Sequence, residues 1–245
     1  MVYAGTFSVV GYDAATQACG IAISSAMPAV GSLCVFADPD RGAIATQAWV
    51  NPLLGVDGLE LLATHSGQET LARLLSEDPE PEMRQLAWVT TEGESAAHTG
   101  SETHPWSGHR CGSGYATAGN ILVGEETIAA MATEFTRTIG ASLPERLLGA
   151  LESGQEAGGD RRGRQSAALY VVQKERYPYV DLRVDEHPDP VAELRRIYDI
   201  ARQELFPFIK ALATRNHPAG KSNDTVAEPG ATRGKRDEQT PQGRV

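Results

Sequence analysis

The sequence predicts an α+β fold in which two stacked, mainly antiparallel sheets lie between two helical layers, a four-layer αββα sandwich. Three observations point there. No charged residue occurs between Asp13 and Asp38, and extending the window to Val56 adds only Asp38, Asp40 and Arg41. Strands this poor in charge must be covered on both faces. The apolar runs are short, bounded by Gly, Pro or Asp, and come at hairpin spacing. Between them stand stretches with a 3.6-residue apolar period, which supply helices to cover the sheets.

The elements follow in chain order. Runs at 6–13, 19–25, 33–37 and 43–50 are rich in Val and Ile and read as four strands. Helices follow at 56–64 and 66–76, where Ser66 and Glu69 form an S-x-x-E capping box ahead of Leu71, Leu74 and Leu75. Strands resume at 84–91 and 95–99, and a Gly-rich, aromatic connection runs through 104–120. Ile128, Met131, Ala132, Phe135 and Ile139 recur at helical spacing. Ser142 with Glu145 offers a second capping box before Leu147, Leu148 and Leu151. Strands at 166–173 and 179–184 lead to a last helix opened by Asp189-Pro190. Val191, Leu194, Ile197, Tyr198 and Leu205 face inward there, and Pro207 marks its end. From Thr214 onward five of 32 residues are apolar, which predicts a disordered tail over 214–245. The main domain is then 6–213, with residues 1–5 as a candidate leader.

Composition bounds the function. A chain of 245 residues, 41% hydrophobic, supports one sizeable core. A balance of 22 basic against 32 acidic residues, −10 overall, argues against nucleic acid or an anionic membrane as partner. Cys19, Cys34 and Cys111 form neither a closed disulfide framework nor a C-x-x-C pair, which suits a reducing, cytoplasmic setting. The N-terminus has no basic n-region followed by an apolar h-region, so a secretory signal is not expected. The charge-free stretch could span a bilayer by length, but Gly20, Pro28, Gly31 and Ser24-Ser25 interrupt it.

The sharpest local feature is Gly5-Thr6 at the mouth of the first strand. Cutting between them would free an α-amino group on the residue that carries the hydroxyl. An α-amine with a pKa near 8 is a base already tethered beside that otherwise poor nucleophile. The plain alternative is that Thr6, β-branched, simply begins a strand.

The blocks TFSVVGYD, GIAISSAMPAVG, GAIATQAWVNPLLGVDGLELL, AAHTG, W-x-G-x-R, AGNILVGEE, GGDRRGRQSAAL and YVDLRVDEHPDPVAEL, in this order from Thr6 to about Tyr198, resemble a bacterial and archaeal family of undetermined function. Its fold is like that of the N-terminal-nucleophile (Ntn) hydrolases. The resemblance implies the same αββα sandwich and Thr6 as nucleophile. In family members the segment resembling Thr6-Phe7-Ser8 often follows the initiator Met directly. This chain has Val2-Tyr3-Ala4-Gly5 between them, which calls for self-cleavage after Gly5, a later start, or a blocked Thr6. The proteasome-like branch places a lysine near its threonine. Here the lysines are Lys174, Lys210, Lys221 and Lys235, so an arginine or the amine itself must take that role.

Other candidates surround this centre. Ser8 shares a strand face with Thr6 and can hydrogen-bond near it. In GGDRRGRQS the paired glycines permit unusual backbone angles and Asp160 could orient an amine. Arg161, Arg162 and Arg164 offer bidentate carboxylate recognition. The plain alternative is a solvated turn. Gln47, Asn51 and Asn120 could donate to an oxyanion, or be buried amides and turn formers. His98 ends a strand and could line the cleft. His98, His104, His109 and Cys111 match no familiar zinc spacing. Gly112-Ser113-Gly114 lacks the Gly-Lys-Ser/Thr of a phosphate loop, and neither G-x-S-x-G nor H-E-x-x-H occurs.

The sequence thus predicts a hydrolase that needs no cofactor or metal and opens a C–N bond of a small amide, lactam or imide by acyl transfer to Thr6. Ser8, Asn120 and Asp160 would assist. Gln47, Asn51, His98, Arg161 and Arg164 would line the substrate site, with one of the two arginines holding a substrate carboxylate. The alternatives are a non-catalytic binding or assembly protein with an uncut N-terminus, and a zinc-supported hydrolase using the loop from His98 to Cys111. A homodimer is expected, from fold analogy and from Phe206, Phe208 and Ile209 after the last helix.

Overall fold

The computed structural model describes residues 5–221. β1 (Thr6–Asp13) and β2 (Ala18–Ser25) form a hairpin in which Asp13 pairs with Ala18 and, at the open end, Thr6 with Ser25. They sit at the centre of a six-stranded sheet with β7 (Gly108–Gly112), β8 (Tyr115–Asn120), β9 (Ser166–Gln173) and β10 (Glu175–Val184), in the order β10-β9-β2-β1-β8-β7. A second sheet holds β3 (Val35–Asp38), β4 (Gly42–Ala48), β5 (Arg84–Thr90) and β6 (Ser95–Thr99) in chain order. All of these strand pairings are antiparallel.

Strand alternation builds the layers. Val10, Cys19, Ile21 and Ile23 face Ala43, Ala45, Ala87 and Val89 across the gap between the sheets. The small alanines let the two sheets close upon each other. On the outer face of the second sheet Ile44, Leu86 and Trp88 pack with Leu54 of α1 (Leu53–Leu61) and Leu74 of α2 (Gly67–Glu77). α3 (Glu126–Arg137) and α4 (Leu143–Glu156) cover the six-stranded sheet, α4 against β1 and β2 and α3 against β7 and β8. The expected αββα sandwich is the observed one. Each fully buried aliphatic or aromatic side chain in it contributes about 1.5–3 kcal/mol.

Several boundaries differ from expectation for identifiable reasons. Residues 104–120, read as a connection, contain β7 and β8. Glycine and alanine disguise them because Ala116 and Ala118, both 0% exposed, lie where the sheets approach closely. α1 starts at Leu53 rather than Val56, where Asn51 Oδ1 accepts the Leu53 N–H at 3.1 Å. The Ser66–Glu69 capping box is formed. Ser142 is an N-cap without a side-chain bond, and Glu145, its expected partner, accepts instead from Arg195 Nη1 at 2.8 Å.

By internal contacts the described residues divide into two compact units, one ending at Ile197 and the other beginning at Tyr198. The last helix, α5 (Pro190–Ile209), runs through Pro207 rather than stopping at it. In the second unit Tyr198 and Phe206 meet edge to face, centroids 5.6 Å apart, and Phe206 is buried while Leu205 is exposed, the reverse of the expected pair. Residues 214–221, assigned to the tail by composition, make a hydrogen-bonded turn in which Lys221 N–H donates to the Ala211 carbonyl at 2.9 Å. The remainder of that tail, like residues 1–4, lies outside the described residues. Among the described residues no helix is long and apolar enough to cross a membrane.

Candidate functional site

At the open end of the β1–β2 hairpin, polar residues replace the apolar filling between the sheets. Register places Thr6 opposite Ser25 on one side and opposite Asn120 on the other, and Ser25 opposite Ser166. Residues directly opposite share a sheet face. Four neighbouring strands therefore present Ser166, Ser25, Thr6 and Asn120 as one row, each at most 1% exposed. The second sheet answers with a row of its own, Gln47 opposite Gln85 opposite Thr99.

Hydrogen bonds tie the rows together. Ser8 Oγ donates to Gln47 Oε1 at 2.7 Å, and Gln47 Nε2 donates to Gln85 Oε1 at 2.7 Å. Asn120 Nδ2 donates to the same Gln85 oxygen at 2.9 Å. Gln85 Nε2 donates to the Gly119 carbonyl at 2.8 Å and to Thr99 Oγ1 at 2.9 Å. Thr99 Oγ1 also pairs with His109 Nδ1 at 2.8 Å. Partial burial and, to a lesser degree, the neighbouring His98 hold His109 below its usual pKa.

The bond between Gly5 and Thr6 has its own surroundings. Thr6 Oγ1 lies 3.4 Å from Ser25 Oγ, and Ser25 Oγ–H donates to the Gly5 carbonyl. The same carbonyl accepts from Arg162 Nη2 at 3.0 Å. Asp160 anchors this arginine through Arg162 N at 2.9 Å, Nε at 3.2 Å and Nη2 at 2.8 Å, and also accepts from Ala26 N–H at 3.1 Å. The Asp160 side chain is 1% exposed, and a buried carboxylate this fully paired is held in one position. Gly158 and Gly159, at φ +120° and +64°, turn the chain out of α4 into this segment. Asp160 then bridges to Leu122, and Arg161 N–H donates to the Ile121 carbonyl at 2.9 Å. Ile121, directly after Asn120, sits at φ 54°, a conformation that costs a β-branched residue about 1–3 kcal/mol.

The structure brings together Gly5, Thr6, Ser8, Gln47, Asn120 and Asp160 of the sequence-derived candidates. Others lie outside this hydrogen-bonded network. Asn51 Nδ2 donates to Asp78 at 2.9 Å at the start of α1. His98 Nε2 pairs with the Pro81 carbonyl at 2.9 Å. Arg161 and Arg164 are exposed, and Arg164 pairs with Asp189 at 3.1 Å. Of the three arginines singled out by sequence, Arg162 is the one bonded to the Gly5 carbonyl. Ser25 and Gln85 were not among the candidates. The hairpin register marks Ser25 as the partner of Thr6, and Gln85 is the polar residue on the inner face it shares with Ala87 and Val89. Among the described residues no three His, Cys, Asp or Glu side chains converge as a metal site would need.

Comparison with known proteins agrees with this architecture. The model of a family of unknown function, DUF1028, matches residues 6–194. The chain belongs to this family. A crystal structure of a protein of the same family from Silicibacter pomeroyi superposes with a TM-score of 0.82 at 27% identity, over 91% of this chain and 98% of that one. Anbu, the ancestral beta-subunit, from Yersinia bercovieri gives a TM-score of 0.37 at 13% identity over 79% of this chain and 93% of that one. No curated protein matches the sequence.

Proposed function

We propose that this protein is an Ntn-type hydrolase that cuts its own chain after Gly5 and then opens the C–N bond of a small, carboxylate-bearing amide, lactam or imide with Thr6 as nucleophile. The observation that carries the reading is the Gly5 carbonyl. Two donors, Ser25 Oγ–H and Arg162 Nη2, point at the oxygen that would become an oxyanion if the Thr6 hydroxyl attacked that carbon. In the first step Thr6 Oγ bonds to the Gly5 carbonyl carbon, the C–N bond breaks, and the hydroxyl proton passes to the departing nitrogen. Water hydrolyses the resulting ester, restoring the hydroxyl and leaving a free α-amine on Thr6. In turnover this amine takes the hydroxyl proton as Thr6 Oγ bonds to the substrate carbonyl carbon, passes it to the substrate nitrogen as the C–N bond breaks, and water then hydrolyses the ester to release the acid. Asn120, beside Thr6 in register, is a further donor, and Ser8 with Gln47 and Gln85 holds it from behind. The exposed Arg161 or Arg164 would take the substrate carboxylate.

The reading is tested by screening small amides, lactams and imides against the wild-type protein and Thr6→Ala. Turnover by the wild type that Thr6→Ala loses supports it, and equal turnover by both overturns it. A second reading, a binding or assembly protein with the bond intact, has one observation in its favour: Thr6 is 0% exposed.

A further inference from the structure

The atoms that hold the Gly5 carbonyl also wall off its α-carbon. A Cβ added at Gly5 would stand 2.7 Å from Asp160 Oδ2, 2.8 Å from Arg162 Nη2 and 2.9 Å from Asp160 Oδ1. Contacts under 3 Å are relieved cheaply when the opposing atoms end a flexible side chain; these atoms do end side chains, and that of Arg162 is 30% exposed, but hydrogen bonds pin the 1%-exposed Asp160 carboxylate and, through it, the guanidinium. Asp160 is held by the Ala26 and Arg162 amides, and its carboxylate holds the guanidinium in turn. Moving either to admit a methyl group would break several charge-assisted bonds in a buried place. A substituent on the α-carbon must therefore displace the carbonyl from Ser25 and Arg162.

We infer that the Asp160–Arg162 pair is a specificity filter selecting acyl groups unsubstituted at the α-carbon, so that the substrates are amides of glycyl or straight-chain acyl type. The inference rests on the hydrolase reading above. The ester formed when Thr6 Oγ takes the Gly5 acyl group is chemically the acyl-enzyme of turnover, with the same carbonyl between the same two donors. An amide R–CH2–CO–NH–R′ acylates Thr6 and releases R′NH2, and water then releases R–CH2–COOH. A branched acid would have to place its extra carbon against the pinned carboxylate. By the same contact Gly5 is required at the cleavage point for its missing side chain rather than its backbone freedom.

The full-length chain tests this in two ways. Self-cleavage of wild type and Gly5→Ala is followed by intact mass. Processed wild type is then treated with propionyl and 2-methylpropionyl p-nitrophenyl esters, with Thr6 acylation read by mass and p-nitrophenolate release corrected for each ester's uncatalysed hydrolysis. Displacing a carbonyl by most of an ångström costs about a hundredfold in rate, so Gly5→Ala is expected to cleave about a hundredfold more slowly. The straight-chain ester is expected to acylate at least about tenfold faster than the branched one. Equal corrected rates, cleavage of Gly5→Ala at the wild-type rate, or failure of both esters to acylate Thr6 overturns the filter while leaving self-cleavage standing. A wild-type chain that never cleaves overturns both the filter and the reading beneath it. Should Gly5→Ala misfold, the ester pair decides.

Discussion

Arg162 and Gly5, 157 positions apart in sequence, meet in one hydrogen bond of 3.0 Å from the guanidinium to the carbonyl that precedes Thr6. With Ser25 as second donor, two groups bond the Gly5 carbonyl oxygen, and in the proposed self-cleavage they would hold the oxyanion formed there. Removing one donor to a developing oxyanion costs about 10²–10³ in rate. Arg162→Ala is therefore expected to slow self-cleavage by about that factor, and Ser25→Ala by about tenfold or more. Arg162→Lys should fall between, since it keeps the charge and loses the fork. Time courses of intact mass check all three, and an Arg162→Ala chain processed at the wild-type rate would contradict the assignment.

The amide network behind the site is a stability element as well as a positioning one. Gln85→Leu removes the acceptor of both Asn120 Nδ2 and Gln47 Nε2. Each buried donor left unpaired costs about 1–3 kcal/mol. Urea unfolding should show a midpoint lowered accordingly, and a change within about 0.5 kcal/mol would mean that the network is dispensable.

Asp78 carries a pH-dependent share of the stability. Burial alone would push its carboxyl up, but hydrogen bonds from Arg84, Asn51 and the Glu80 N–H outweigh that and hold it below the usual carboxylate range. A carboxyl depressed in the folded state contributes stability that is fully present above its unfolded pKa of about 3.9 and is lost as pH falls through the folded value. Asp78→Asn should lower stability at pH 7 by about 3–5 kcal/mol, because Arg84 is left buried without its counter-charge. It should also flatten the loss of stability below about pH 4. Unfolding series at pH 3, 5 and 7 check both parts.

The three cysteines should separate in reactivity. Burial pushes the Cys34 thiol up to about 12, and burial with the Asp38 charge does the same for Cys19. Cys111, on the edge strand β7, is exposed. A thiol reagent at pH 8 is expected to modify one cysteine in the native protein and three after denaturation. Rapid modification of Cys19 or Cys34 in the native state would contradict the packing between the sheets.

How far the site can be read from sequence follows from local geometry. The hairpin turn after Asp13 sets a register that makes Ser25 the partner of Thr6, so Ser25 is legible once the turn is placed. Thr6 and Ser8 are legible as polar residues at the start of a strand, and Asn120 as an amide in a Gly-rich stretch. Arg162 is not distinguishable from Arg161 and Arg164, because their directions depend on two positive-φ glycines and on the bridge from Asp160 to Leu122. The pair β7 and β8 is obscured for the reason that makes it useful: glycine and alanine allow close sheet approach and weaken the strand pattern. Asn51 and His98 have suitable chemistry, but their partners are Asp78 and Pro81 rather than Thr6.

In the proposed function the Gly5–Thr6 bond is cut by Thr6 itself. The most direct test is the intact mass of the full-length protein, expressed without an N-terminal tag, beside that of Thr6→Ala. The account predicts a wild-type chain beginning at Thr6 and a mutant that keeps Gly5 and the residues before it. A wild-type chain that retains Gly5, or a Thr6→Ala chain that loses it equally well, would contradict the account.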